Sequence, residues 1–240
     1  TYVNSYTAKG SITFTGTSTA ATNTDAAVYL SGIQAKTTSS GNISVNANTK
    51  NAGVDAIKIF SNPVSTPQGY QGGATSLVST SGDVKIQSNQ GGIFLSDGVP
   101  HSVTPTTISG RNISIDNTGG SIDASTGVIT RGTGQGSSGI SISDSRAFNA
   151  TGNINLYGAG TSGNGVTISG AATLSAANIN ITGENTNATA GNAAINISNA
   201  NSKLTSTAAT TLTSAGVGSG TSLVEAGDIA VGTQLKVTTP

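Results

Sequence analysis

One short pattern recurs along the chain and limits what it can fold into. A small or turn-forming residue and an Asn-like residue precede an apolar–x–apolar triplet. The copies run Gly10-Ser11-Ile12-Thr13-Phe14, Gly41-Asn42-Ile43-Ser44-Val45, Gly82-Asp83-Val84-Lys85-Ile86, Arg111-Asn112-Ile113-Ser114-Ile115, Gly152-Asn153-Ile154-Asn155-Leu156 and Ala177-Asn178-Ile179-Asn180-Ile181. A degenerate copy follows at Ala209-Thr210-Thr211-Leu212. These are the A segments. Between them lie B segments, apolar–x–apolar followed by Ser: Val28-Tyr29-Leu30-Ser31, Ile93-Phe94-Leu95-Ser96, Ile140-Ser141-Ile142-Ser143, Val166-Thr167-Ile168-Ser169 and Ile195-Asn196-Ile197-Ser198. Ile57-Lys58-Ile59-Phe60 fits except at its last position. A further apolar residue usually precedes the first apolar residue of each A segment by five or six positions and marks a C segment: Tyr6, Val78, Ile108, Phe148, Leu174 and Leu204, with Ile33 fitting less well.

Period-two alternation with one apolar face is the signature of a half-buried strand. The order C–A–B repeats about seven times, with about 25 to 41 residues between A segments. Three short strands per turn, stacked turn on turn, predict an all-β parallel β-helix of about seven three-strand coils with loop insertions. A single coil cannot bury its own apolar face, whereas a stack makes one continuous core. The 240 residues are read as a single such segment. Neither end carries an amphipathic cap, so the segment is expected to be part of a larger exoprotein whose neighbours continue the stack.

Composition agrees. Thr, Ser, Asn and Gly number 37, 33, 22 and 33, and charged residues are only 8%. That bias would suit disorder, but the ordered apolar pattern argues against it. No apolar run is long enough for a membrane-spanning helix, so no membrane insertion is expected. Ten basic residues balance ten acidic ones, which leaves no electrostatic footprint for nucleic acid. Cysteine is absent, which excludes disulfides and thiolate metal sites. No cofactor and no metal are expected. The longest loops fall at 61–76, 97–107, 123–138 and 183–192, and four of the five prolines lie in the first two.

The GNI-S-V, GNI-N-L and ANI-N-I segments, alternating with V-T-I-S-G and I-N-I-S-N, resemble the filamentous-haemagglutinin-like family across residues 10–213. These are large secreted bacterial adhesins, many exported by two-partner secretion, and autotransporter passenger domains look much the same. The resemblance implies a right-handed β-helix on or outside the bacterial cell, working in adhesion, biofilm or virulence. The family's secretion domain carries an NPNG-type motif that this chain lacks, so an internal or distal segment is implied. The absence of Cys suits a rod that threads a pore unfolded.

Candidate sites follow from strand geometry. The middle residue of each B triplet points outward, so Tyr29, Lys58 and Phe94 are expected to form one exposed strip, continued by Ser141, Thr167 and Asn196. Aromatics there can stack on sugar rings or anchor a protein, unless loop 61–76 folds over them. Within that loop, Gln68, Tyr70 and Gln71 combine an aromatic with amides and suit polyol recognition. The lone His101, in loop 97–107, has no partner motif. The column Asn42, Asp83, Asn112, Asn153 and Asn178 is read as turn chemistry and a stacked ladder rather than a metal or sugar site. Asp83, Asp97, Asp116, Asp123 and Asp144 are scattered, without the paired carboxylates of a glycoside-cleaving centre. Near 116–140, Ile122 competes with Ile140 for the B position, and Ile140 is preferred.

The expected function is therefore a non-catalytic structural and adhesive rod of a secreted bacterial surface protein, with a host-cell or matrix glycan or protein, or neighbouring copies of itself, as partner. The alternatives are a β-helix polysaccharide-degrading enzyme and a self-assembling extracellular filament subunit.

Overall fold

A computed structural model describes residues 4–239 except 23, 62–64, 67–68, 71–72, 97–105, 187–191, 216–220 and 226, with backbone alone at 65–66, 69–70, 221–222 and 224. The described residues form strands and connections, with no helix among them. Strands alternate by type along the chain but sort by type in space. The A segments build an eight-stranded sheet, from Ile12–Ser18 at one edge to Gln234–Thr238 at the other. The C segments build a second eight-stranded sheet, from Asn4–Ala8 to Asp228–Val231. The B segments build a seven-stranded sheet, from Val28–Ser31 to Thr221–Glu225. Pairing within all three is parallel, as in Ile43 with Val84, Val84 with Ile113 and Ile113 with Ile154. An all-β chain that visits three parallel sheets in rotation is consistent with a β-helix or solenoid-like fold.

The interior follows the alternation. Ile43, Val45, Val84, Ile86, Ile113 and Ile115 of the A sheet are fully buried, as are Ile57, Ile59, Ile93 and Leu95 of the B sheet and Ile108, Phe148, Leu174 and Leu204 of the C sheet. Ladder pairing stacks each residue on its counterpart one strand away, so the core is a set of apolar columns. Ile140 and Ile142 pair with Ile93 and Leu95 and are buried at 1% and 0% exposure. Ile122 instead lies in a separate two-stranded antiparallel hairpin, Ser121–Ile122 with Ile129–Thr130. Strand pairing also extends past residue 213, into Asp228–Val231 and Gln234–Thr238, where the repeat motif is too degenerate to read.

One position of the C pattern is corrected. Leu77, not Val78, occupies the core column: it pairs with Ala35 and Ile108 and is fully buried, while Val78 faces outward and is half-buried. Two adjacent apolar residues cannot both face in, and the ladder register decides between them. The same register puts Ala35 in this column in place of Ile33, which faces in two residues earlier.

Where the A strands end, the next B strand crosses close by, and glycine makes room. A Cβ on Gly183 would lie 1.9 Å from the Ala194 carbonyl oxygen, and one on Gly16 would lie 1.9 Å from that of Ala27.

The register predicts an asymmetry between neighbours. Leu77→Ala should destabilise the fold by about 2–5 kcal/mol through cavity formation, whereas Val78→Ala should cost less than about 1 kcal/mol. Chemical denaturation of the two variants reads this directly, and equal costs would contradict the assigned register.

Candidate functional site

The B sheet carries the expected outward column. Tyr29 pairs with Lys58, Lys58 with Phe94, and Phe94 with Ser141, continuing through Thr167 to Asn196. Tyr29 is 62% exposed, and Phe94 and Lys58 are half-buried. Lys58 Nζ lies 3.6 Å from Asp55 Oδ2, three residues earlier on the same strand. Such a partly exposed pair contributes little to stability.

The strip contains a third ring, which lies just past the Ile57-Lys58-Ile59 triplet. Phe60 lies two residues beyond Lys58 and shares its outer face. Its ring stacks on Tyr29 at 5.4 Å with a 28° interplanar angle, and meets Phe94 edge-on at 5.5 Å and 61°. Both geometries are favoured by ring quadrupoles. Three successive strands thus carry Tyr29, Phe60 and Phe94 as one continuous aromatic ridge flanked by Lys58. The signal was present in the sequence: Phe60 stands where the other B segments carry Ser.

Gln68, Gln71 and His101 lie outside the described residues. Tyr70 belongs to the two-residue strand Gly69–Tyr70, antiparallel to Ser65–Thr66, and its side chain is not described.

The Asn/Asp column runs along the corner before each A strand and holds that corner together. Asn42 Oδ1 accepts from the Asp83 backbone N–H at 2.8 Å. Asp83 Oδ1 accepts from the Asn112 backbone N–H at 3.2 Å and from Asn112 Nδ2 at 3.1 Å. Asn112 Oδ1 accepts from the Asn153 N–H at 3.0 Å, and Asn153 Oδ1 from Asn178 Nδ2 at 2.9 Å. The single carboxylate in this amide column is neutralised by Arg111, whose Nε and Nη2 donate to Asp83 at 2.9 Å each.

The outer face of the A sheet carries a feature that periodicity did not reveal. Overlapping the 123–138 loop, the hairpin 121–130 folds back over two strands. Ser114 Oγ donates to the Gly127 carbonyl at 2.7 Å, Asn112 Nδ2 to that of Ser125 at 3.0 Å, and Asn153 Nδ2 to that of Thr126 at 2.8 Å. At its base, Gln87 Nε2 donates to the Gly120 carbonyl at 2.6 Å, and Asp116 Oδ2 accepts from the Gly120 N–H at 2.8 Å. The turn is an Asp123 cap: its Oδ1 accepts from the N–H and hydroxyl groups of Ser125 and Thr126 at 2.6–3.0 Å. Apolar residues on either side of an Asp-Ala-Ser-Thr-Gly turn were the available clue.

Beside this hairpin Arg131 Nε donates to both oxygens of Glu184 at 2.8 Å, and Tyr157 Oη donates to Glu184 Oε1 at 2.6 Å. Burial, then the bond to Glu184, raises the Tyr157 phenol above its ordinary range. A phenol held protonated in this way acts as a hydrogen-bond donor and not as a nucleophile. Among the described residues no three His, Cys, Asp or Glu side chains stand together as a metal site. No family model, curated protein or solved structure matched the chain.

The donors around Asp123, first the Ser125 and Thr126 hydroxyls and then their N–H groups, hold its carboxyl far below the usual range. Because the folded value is depressed, the cap's contribution is complete well above the ordinary Asp value of about 3.9 and is lost progressively as pH falls from there through the depressed one. Carbon-detected NMR titration of Asp123 should give a midpoint well below that ordinary value. An unshifted midpoint would mean that the cap does not form in solution.

Proposed function

We propose that the chain is a right-handed parallel β-helix of about seven coils, serving as a non-catalytic adhesive rod segment of a secreted bacterial surface protein. Handedness is taken from the strong right-handed preference of crossovers between parallel strands in one sheet. Seven successive C–A–B strand triplets, followed by one further C and one further A strand, support the coil count.

The observation that carries the adhesive reading is the Tyr29–Phe60–Phe94 ridge. Aromatic side chains are rare here, at 4% of residues, yet three of them meet on one outer face instead of entering the core. Rigid rings with a neighbouring ammonium suit the apolar face and hydroxyls of a host-cell or matrix glycan, or a protein partner. Their scaffold is a stack of paired strands, so little ordering entropy opposes binding. The non-catalytic reading is supported by what the carboxylates do. Asp83 holds Arg111 and the corner, Asp116 and Asp123 hold the hairpin, and Glu184 holds Arg131 and Tyr157.

A glycan-array screen of the purified chain beside a Tyr29→Ala/Phe60→Ala/Phe94→Ala variant tests this reading. Binding should appear with the wild type and fall at least about tenfold in the variant, as loss of aromatic anchors requires. Circular dichroism should show the fold retained, because the three rings lie outside the core. Binding that survives unchanged would remove the ridge from the site. Release of reducing ends from a bound polysaccharide would overturn the non-catalytic reading.

A further inference from the structure

The hairpin over the A sheet leaves a groove of about 220 Å³ along its edge. Val128 and Ile129 form the hairpin wall, and Asn155, Tyr157, Asn180 and Thr182 line the sheet side. We infer that this groove is a binding subsite for a single ring of a neutral saccharide. It lies on a different face from the Tyr29–Phe60–Phe94 ridge and does not depend on that ridge being a site.

Four observations lead there. First, the polar groups on the sheet side are partly unspent. Asn180 Nδ2 donates to Asn155 Oδ1 at 2.9 Å. Among the described residues Asn180 Oδ1 and the Thr182 hydroxyl have no protein partner. Tyr157 Oη gives its proton to Glu184, which leaves its oxygen lone pairs to accept. The groove therefore offers acceptors and one donor–acceptor hydroxyl, a set that matches alcohol groups. Second, the opposite wall is aliphatic, and Val128 stands 48% exposed. A pyranose presents hydroxyls around its edge and C–H bonds on its faces, so it satisfies both walls at once. Third, the charges in reach cancel. A single Arg131 N–H is shared between both oxygens of Glu184, the acceptor of the groove-lining Tyr157 hydroxyl. An anionic ligand would have to compete with Glu184 for Arg131, which disfavours acidic sugars and phosphates. Fourth, the volume is below the roughly 300–1,000 Å³ of a drug-sized pocket, and so suits one ring more than an extended peptide.

The groove is also built rather than incidental. The hairpin is anchored by Ser114, Asn112 and Asn153 at its tip and by Gln87 and Asp116 at its base, so the wall is fixed before a ligand arrives. One small ring on such a site binds weakly, in the millimolar range. That strength is useful only where neighbouring rings of a polymer or copies of the rod add further contacts.

The test is amide-shift mapping on the isotope-labelled chain, titrated with the methyl glycosides of glucose, galactose and mannose, and separately with glucuronate. At least one neutral glycoside should move a compact set of amides at 128–131, 155–157 and 180–184. Thr182→Val keeps the side-chain shape and removes only the hydroxyl, and should weaken that binding at least about tenfold. Val128→Ser, on the exposed wall, should also weaken it, while Gln34→Ala, exposed on the C sheet, should leave it unchanged. Absence of shifts with all three glycosides, shifts confined to other faces, or equal binding by Thr182→Val would overturn the assignment. Tighter binding of glucuronate than of any neutral glycoside would overturn the neutral class.

Discussion

Parallel, in-register pairing is the constraint on which the rest of this structure depends. Strands about 4.8 Å apart in three sheets place every side chain against its counterpart on the next strand. Inside, that rule turns isolated apolar residues into columns, and a chain with only 34% hydrophobic residues still acquires a continuous core. The same rule acts on charge. A column of like charges at this spacing would repel along its whole length, and the low charge content follows. Lys58 stands between Tyr29 and Phe94, Lys85 between Ser44 and Ser114, and Asp116 between Gln87 and Tyr157. Where two charges do stack, they are opposite, as with Lys203 and Asp228.

Corners raise a different problem, because a bend interrupts the ladder and leaves backbone groups to satisfy. Asn solves it repeatedly. Its carbonyl reaches the backbone N–H of the next corner in the steps from Asn42 to Asp83 and from Asn112 to Asn153. Substituting one carboxylate into that column is tolerated because Asp83 gains Arg111 and a second donor from Asn112. The charge is compensated on the outside, where the Arg111 side chain remains 48% exposed, while Asp83 itself is covered. The corner residues are therefore accounted for by backbone satisfaction, and the outer faces are where chemistry is left over.

What was readable from the residues divides along this line. The A and B strands, the Tyr29–Lys58–Phe94 column, the amide ladder and the choice of Ile140 over Ile122 all follow from alternation and repetition, which are local. The C strands are less clear because only one apolar position marks them, and the adjacent Leu77 and Val78 cannot be told apart without the neighbouring strands. Phe60 was visible only as a departure from the repeat, yet its ring joins Tyr29 to Phe94 across three strands. The hairpin escaped for a stronger reason. Its docking rests on polar side chains of Asn112, Ser114 and Asn153, whose outward positions look like every other outward Asn or Ser in the chain. Nothing in periodicity distinguishes an outer face that will be covered from one that stays bare.

The two decorated faces therefore have different physical origins. The aromatic ridge is made by residues within the repeat itself, on consecutive strands of one sheet, so its spacing is set by the ladder. The groove is made by an insertion lying against the repeat, so its shape depends on how firmly that insertion is pinned. A surface of the first kind is an open strip that accepts ligands of varied length. A surface of the second kind is concave and limits what fits by size and by the polar groups on its walls. On the adhesive reading, a rod carrying both would hold a polymer loosely along one face and recognise a single ring on another, with rigidity supplied to each by the same stacked core. Under the adhesive reading, that combination favours specificity through many weak contacts over any one tight pocket, which is the regime a stiff, sparsely charged scaffold with small sites can sustain.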